Sequence, residues 1–155
     1  MILRKARKSD AKGIAEVMIE FYNISSIKEG VNAFREETCR GHNFIVAIEG
    51  KKVVGFTSWL AHGLAKHGLA ELDRIAVLEE LRGKGTGKKL FNFLEKEAKE
   101  YYKKRNSRLR KLFILTHASN TKAQAFYSSL GLKHETTLKN HYYAGEDEFV
   151  FSKFF

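Results

Sequence analysis

A chain of 155 residues with 43% hydrophobic and 30% charged side chains is long enough to bury a core and reads as a single globular domain, residues 1–155. No stretch approaches the ~20 apolar residues of a membrane span, and the start, MILRKARKSD, has charges where a signal peptide carries its apolar segment. One cysteine, Cys39, excludes an internal disulfide and argues against a cysteine metal cluster, so the chain reads as cytoplasmic, with no membrane partner. The net charge of +10 leaves nucleic acid or an anionic ligand to be weighed. Lys103–Lys111 holds six cations in nine residues but no interleaved aromatics, so a solvated helix end plus an anionic ligand is the better reading.

In chain order, Met1–Arg7 reads as a short strand. Ser9 offers an N-cap to a helix whose Ala11, Ile14, Ala15, Met18, Phe21 and Tyr22 recur at helical spacing. A weaker helix covers Val31–Arg40, where Cys39 suits a small buried apolar role. Asn43–Glu49 alternates around Phe44, Val46 and Ile48, and Gly50 turns it into a second strand, Lys52–Ala61. A loop bearing His62 and His67 leads to a strand over Leu69–Leu78. Beyond a glycine-rich turn, Leu90, Phe91, Leu94, Ala98, Tyr101 and Tyr102 share one helical face. The apolar run Leu112–Thr116 predicts a strand buried on both sides. Asn120 caps a short helix carrying Ala123, Phe126, Tyr127 and Leu130, and Gly131 ends it. Strands over Lys133–Lys139 and Glu148–Phe154 close the chain. This order predicts an α/β (α+β) sandwich with one central mixed sheet of about seven strands and four helices.

The stretch Leu81–Leu90, LRGKGTGKKL, carries the strongest functional signal. Gly83, Gly85 and Gly87 strip side chains from a strand-to-helix turn, so backbone amides can converge on one anion. The following helix adds unpaired amides and its positive dipole end, while Arg82, Lys84, Lys88 and Lys89 surround the cradle with cations. Such a device binds phosphate or pyrophosphate. The spacing fits neither G-x-G-x-x-G, which needs a glycine where Lys88 stands, nor G-x-x-x-x-G-K-[ST], since Lys89 follows Lys88.

The pattern present is R-x-x-G-x-G, as Arg82, Gly85 and Gly87, preceded by Ile75-Ala76-Val77. It resembles the acetyl-CoA loop of the GNAT superfamily of N-acetyltransferases. The segment SNTKAQAFYSSLGL, with Asn120 and Tyr127, is similar to that family's N-x6-Y helix, and EGKKVVGF at Glu49–Phe56 is similar to its second hairpin. The order of elements also resembles the GNAT fold over nearly the whole chain.

The resemblance implies acetyl-CoA as donor, with no metal. Ile75, Ala76 and Val77 would receive the pantetheine arm as an added strand. The backbone from Arg82 through Gly83, Lys84, Gly85, Thr86, Gly87 and Lys88 would hold the pyrophosphate, and Asn120 would bond the arm near its thiol. An amide near Val77 would stabilise the oxyanion. Tyr127 resembles the family's general acid for the departing thiolate. Glu71 resembles the base of histone-type members, with Asp73 beside it on the same strand face; His117 is a further imidazole close by. The glutamate that ribosomal-protein acetyltransferases carry five residues before the motif asparagine is replaced here by Leu115. The six histidines show no metal-ligand spacing.

An α-amino group has a pKa of about 7.7–8.0 and lysine about 10.4, a gap worth roughly 3.4 kcal/mol in freeing a neutral nucleophile. An N-terminus is therefore the easier acceptor. Tyr142-Tyr143-Ala144-Gly145-Glu146-Asp147 resembles the substrate-groove hairpin of protein N-terminal acetyltransferases, one residue shorter before its glycine. We therefore expect a peptide or protein amine. A polyamine-type acceptor, to which the carboxylates Glu71 and Asp73 would suit, and a non-catalytic acyl-CoA-binding module stand as alternatives. Nucleic acid is not the expected partner, and C-terminal edge strands leave a homodimer open.

Overall fold

The computed structural model describes residues 1–155. In chain order it has β1 (Ile2–Lys5), α1 (Ala11–Phe21), α2 (Ile27–Cys39), β2 (Asn43–Glu49), β3 (Lys52–His62) and β4 (Leu69–Val77), followed by α3 (Thr86–Lys103), β5 (Lys111–His117), α4 (Thr121–Ser129), β6 (Lys133–Tyr143) and β7 (Glu146–Phe154). The hydrogen-bonded strand order is β1-β2-β3-β4-β5-β7-β6. The expected mixed seven-stranded sheet with four helices is present. No helix is long and apolar enough to cross a membrane.

The chain forms two compact units, Met1–Leu60 with Arg74–Ala98, and Ala61–Asp73 with Lys99–Phe155. In the first, β1, β2 and β3 pair antiparallel. Ile14, Val17 and Met18 of α1 pack with Phe34 of α2 and with Phe44, Val46, Phe56 and Ala76 of the strands in one core cluster. Of the α1 face expected from the sequence, Ala11, Ile14, Ala15 and Met18 are buried while Phe21 and Tyr22 are half-buried, and full burial of a large apolar side chain stabilises by about 1.5–3 kcal/mol. In the second unit, Leu69–Glu71 of β4 pairs parallel with Lys111–Phe113 of β5, and β5 pairs antiparallel with β7. There the Tyr102 hydroxyl donates to the Leu69 carbonyl at 2.5 Å, tying the end of α3 to the start of β4.

Several local expectations are corrected. Ser9 is not a helix cap. The residues Lys8–Asp10 form a 3-10 turn, and Asp10 accepts the Arg7 amide at 2.6 Å and both Arg4 guanidinium nitrogens at 2.7 and 2.9 Å. Helix α2 starts at Ile27, not Val31, because the Ser26 side chain accepts the Glu29 amide at 3.1 Å and the Glu29 carboxylate reaches back to the Ser25 amide at 2.8 Å. Strand β5 is not buried on both faces but alternates buried and half-buried residues. Cys39, at the end of α2, is exposed rather than buried.

The Arg4 hydrogen bonds, against the cost of burial and with help from the Arg7 amide, hold the Asp10 carboxyl below the usual aspartate range. The folded chain thus binds this proton less readily than the unfolded chain. Its stabilisation is present above about pH 4 and is lost as pH falls through the lower folded value. Asp10→Asn is expected to cost about 1.5–3 kcal/mol at pH 7 and to remove this part of the acid sensitivity, as urea unfolding at pH 7 and pH 3 would show.

Candidate active site

The first unit carries the glycine turn. After the 3-10 turn Glu79–Leu81, Arg82 is extended, and Gly83 and Gly85 lie in the left-handed region at φ +72° and +80°. That conformation costs a residue with a Cβ roughly 1–2 kcal/mol, which accounts for glycine at both places. A Cβ built on either would meet nothing within 4 Å, so the space over the turn is open to a ligand. Helix α3 begins at Thr86, four residues earlier than Leu90, and Gly87 lies inside its first turn. The first bond to the helix runs from the Lys89 amide to the Gly85 carbonyl at 3.0 Å. The Thr86, Gly87 and Lys88 amides therefore stand at the helix N-terminus without intrahelical acceptors. Exposed Lys84 and Lys88 flank them. This donor set fits a diphosphate. Arg82 is anchored rather than mobile: its Nε donates to the Val77 carbonyl at 3.2 Å and its guanidinium lies 4.2 Å over the Phe21 ring.

Strand β4 leads into that turn. The Leu78 amide donates to the Val54 carbonyl at 2.9 Å, so the two-residue period turns the Ile75 and Val77 amides toward the opposite edge. Pairing of β4 with β5 ends at Glu71, which leaves those amides without a strand partner there. Ala76 faces the core, 4% exposed. Arg74 is engaged by Glu37 at 2.6 Å and stacks over Tyr22.

In the second unit, helix α4 is fixed at both ends. Asn120 accepts the Ala123 amide at 3.1 Å, so its side-chain oxygen serves as the helix cap. At the other end Gly131, at φ +88°, donates to the Ser128 carbonyl at 3.0 Å and Leu132 to the Tyr127 carbonyl at 3.1 Å. This pair of bonds is a Schellman closure, and it holds the turn that bears Tyr127. The Tyr127 ring is 8% exposed and packs on Phe126 and Phe151. Burial alone pushes its hydroxyl above the usual tyrosine range.

The same unit contains two imidazole–carboxylate pairs. His62 Nε2 lies 2.6 Å from Glu71 Oε2, and the His62 ring sits 5.6 Å from Phe113. His117 Nδ1 bonds Glu148 Oε1, the two residues facing each other across β5 and β7. Sequence reasoning reached His117 but missed Glu148, because nothing local marks a partner that only strand pairing supplies. Tyr142 and Tyr143 stand 63% and 62% exposed where five residues of β6 from Leu138 oppose two of β7 from Glu148. The Tyr142 hydroxyl is pushed up by desolvation first and then by the carboxylates of Glu71, Glu148 and Asp73. These three acids therefore share one neighbourhood with Tyr142.

Residues 40–133 match the family described as the acetyltransferase (GNAT) domain. That span contains every expected cofactor residue and Tyr127 and Glu71, but neither Tyr142 nor Tyr143. Among solved structures, a GNAT-family acetyltransferase described as putative, from Desulfovibrio desulfuricans, is 22% identical over 99% of this chain and 98% of its own, with a TM-score of 0.80. A ribosomal-protein-alanine N-acetyltransferase from Brucella melitensis is 20% identical over the full length of both chains, TM-score 0.76. An aminoglycoside 6'-N-acetyltransferase complexed with coenzyme A is 17% identical over 99% and 97%, TM-score 0.78. No curated protein matches the sequence.

Proposed function

The chain belongs to the GNAT acetyltransferase family, and from that premise we propose that it moves an acetyl group from acetyl-CoA to the N-terminal amine of a peptide or protein. The observation that carries the donor half is the turn Arg82–Lys88, where two left-handed glycines open onto a helix N-terminus. In this reading the backbone of Gly83, Lys84, Gly85, Thr86, Gly87 and Lys88 holds the pyrophosphate, and Arg82 fastens the turn to β4. The edge of β4 at Ile75, Ala76 and Val77 binds the amide-bearing arm, with the Val77 amide facing the thioester oxygen as negative charge develops. Asn120, its oxygen committed to the helix, offers its side-chain NH2 to the arm.

The bound donor supplies an activated acyl carbon. Tyr127 assists departure of sulfur. An ordinary phenol near pKa 10 gives its proton to a thiolate near 8.5 only at a cost of about 2 kcal/mol, and burial makes this worse. Tyr127 therefore holds the sulfur by a hydrogen bond that strengthens as charge grows there, and gives up its proton only in step with taking one from the attacking nitrogen, so that no free phenolate forms. Glu71 and Asp73 attract the acceptor's ammonium, and Tyr142 and Tyr143 line its approach.

Incubation with acetyl-CoA and a panel of peptides and polyamines, read by free thiol and product mass, tests the reading. Peptides with free α-amines are expected to be acetylated fastest. The three carboxylates near Tyr142 favour a second reading, a small polycationic amine, and acetylation of polyamines alone would establish it. Failure to acetylate any amine, with CoA still bound, would leave an acyl-CoA-binding module.

A further inference from the structure

Resting on the transferase reading, we propose that His117 is the general base that deprotonates the acceptor amine, and that Glu148 is its positioning residue. Glu148 is 2% exposed, and a carboxylate is kept in such a place only with a hydrogen-bonding partner. That partner is His117 Nδ1. An ionised carboxylate only accepts, so it places the imidazole proton on Nδ1 and leaves the lone pair on Nε2. The His117 side chain is 42% exposed while Glu148 is sealed, so the basic nitrogen is the one that meets solvent and substrate. The backbone around the ring is fixed as well: the His117 carbonyl accepts the Asn120 amide at 2.9 Å and Gln124 Nε2 at 3.3 Å, which joins it to the helix that bears Tyr127.

The other pair is less suited. There Nε2 is the nitrogen already bonded to Glu71, leaving His62 Nδ1, the nitrogen nearer the backbone. Glu71 is thereby engaged and serves as charge rather than as base. The groups that face His117 are Glu148 of β7 and the Tyr143 ring of β6 at 5.9 Å, while Glu146 is engaged by the Ser119 amide and hydroxyl at 3.1 and 2.7 Å.

In the step assigned, His117 Nε2 takes one proton from the acceptor ammonium. The freed nitrogen forms the C–N bond as the C–S bond breaks. Sulfur leaves as the thiol with the proton of Tyr127, which regains one from the new amide nitrogen, and His117 releases its proton to water.

Two measurements test this on the full-length protein. Long-range 1H–15N correlation at pH 8 reads the tautomer directly: the Nδ1–H form is expected for His117, with Glu148→Gln shifting it toward Nε2–H. A wild-type Nε2–H form overturns the proposal. With the best acceptor, His117→Gln is expected to lower kcat/KM about 100-fold and to change the shape of its pH profile, leaving KM for acetyl-CoA unchanged. His117→Gln with wild-type turnover and pH profile, in an enzyme that acetylates normally, overturns the base assignment alone. A wild-type protein that transfers to no amine overturns the transferase reading and the assignment together.

Discussion

Replacing Tyr127 by phenylalanine is expected to lower kcat by about 10²–10³ while leaving acetyl-CoA affinity within about threefold, since general acid–base groups contribute 10²–10⁴. The substitution removes one hydroxyl and keeps the ring between Phe126 and Phe151. Burial of Tyr127 makes the variant a clean one, because the loss of a single oxygen leaves no bulky cavity. Thermal unfolding should shift little, so a large loss of turnover would report chemistry rather than folding. Steady-state kinetics with both substrates varied checks this: an unchanged kcat would remove Tyr127 from the mechanism. A fall in affinity alone would make it a packing residue of α4.

Gly85→Val is expected to weaken coenzyme A binding by about 10- to 100-fold. A β-branched residue at φ +80° carries a backbone penalty of at least ~1–2 kcal/mol, and relief of that strain re-aims the amides at the start of α3. Gly87→Ala should behave differently. Gly87 is helical and outside the left-handed set, and alanine is favoured over glycine in a helix by about 1 kcal/mol. Its coenzyme A affinity is expected to fall by less than about threefold, with melting temperature unchanged or raised. Calorimetric titration of the two variants separates the cases. Equal losses would mean that bulk above the turn, not its backbone geometry, governs binding.

The contrast between these glycines marks how far the sequence could be read. R-x-x-G-x-G locates the turn, but three glycines in alternation give no sign that two are left-handed and the third is helical. The start of α3 is consequently missed by one turn. The start of α2 is different, because Ser26 and Glu29 form a legible S-x-x-E signal and the apolar periodicity from Val31 masks it. Strand β5 reads as a doubly buried strand because Leu112–Leu115 are all apolar, whereas its Phe113 and Leu115 positions stay half exposed. In the site, Tyr127 and Asn120 are legible because one short helix sets their spacing. Glu71 and His117 are legible as titratable side chains near the motifs, but their partners are not. His62 and Glu148 join them by tertiary pairing across strands, at sequence separations of 9 and 31 residues. The apparent cation Arg82 likewise reads as a free charge until Phe21 and the Val77 carbonyl are seen to hold it.

Every role assigned to the donor rests on backbone amides at the entrance to α3 taking the two phosphates. Titration of the wild-type protein with coenzyme A and with pantetheine, which keeps the arm and thiol but lacks the diphosphate and the 3'-phosphoadenosine beyond it, with adenosine 3'-phosphate as the control for the nucleoside end, tests that claim most directly. Coenzyme A is expected to bind at least about 100-fold more tightly, a difference of roughly 2.7 kcal/mol. Comparable affinities for the two, or no heat with either, would contradict it.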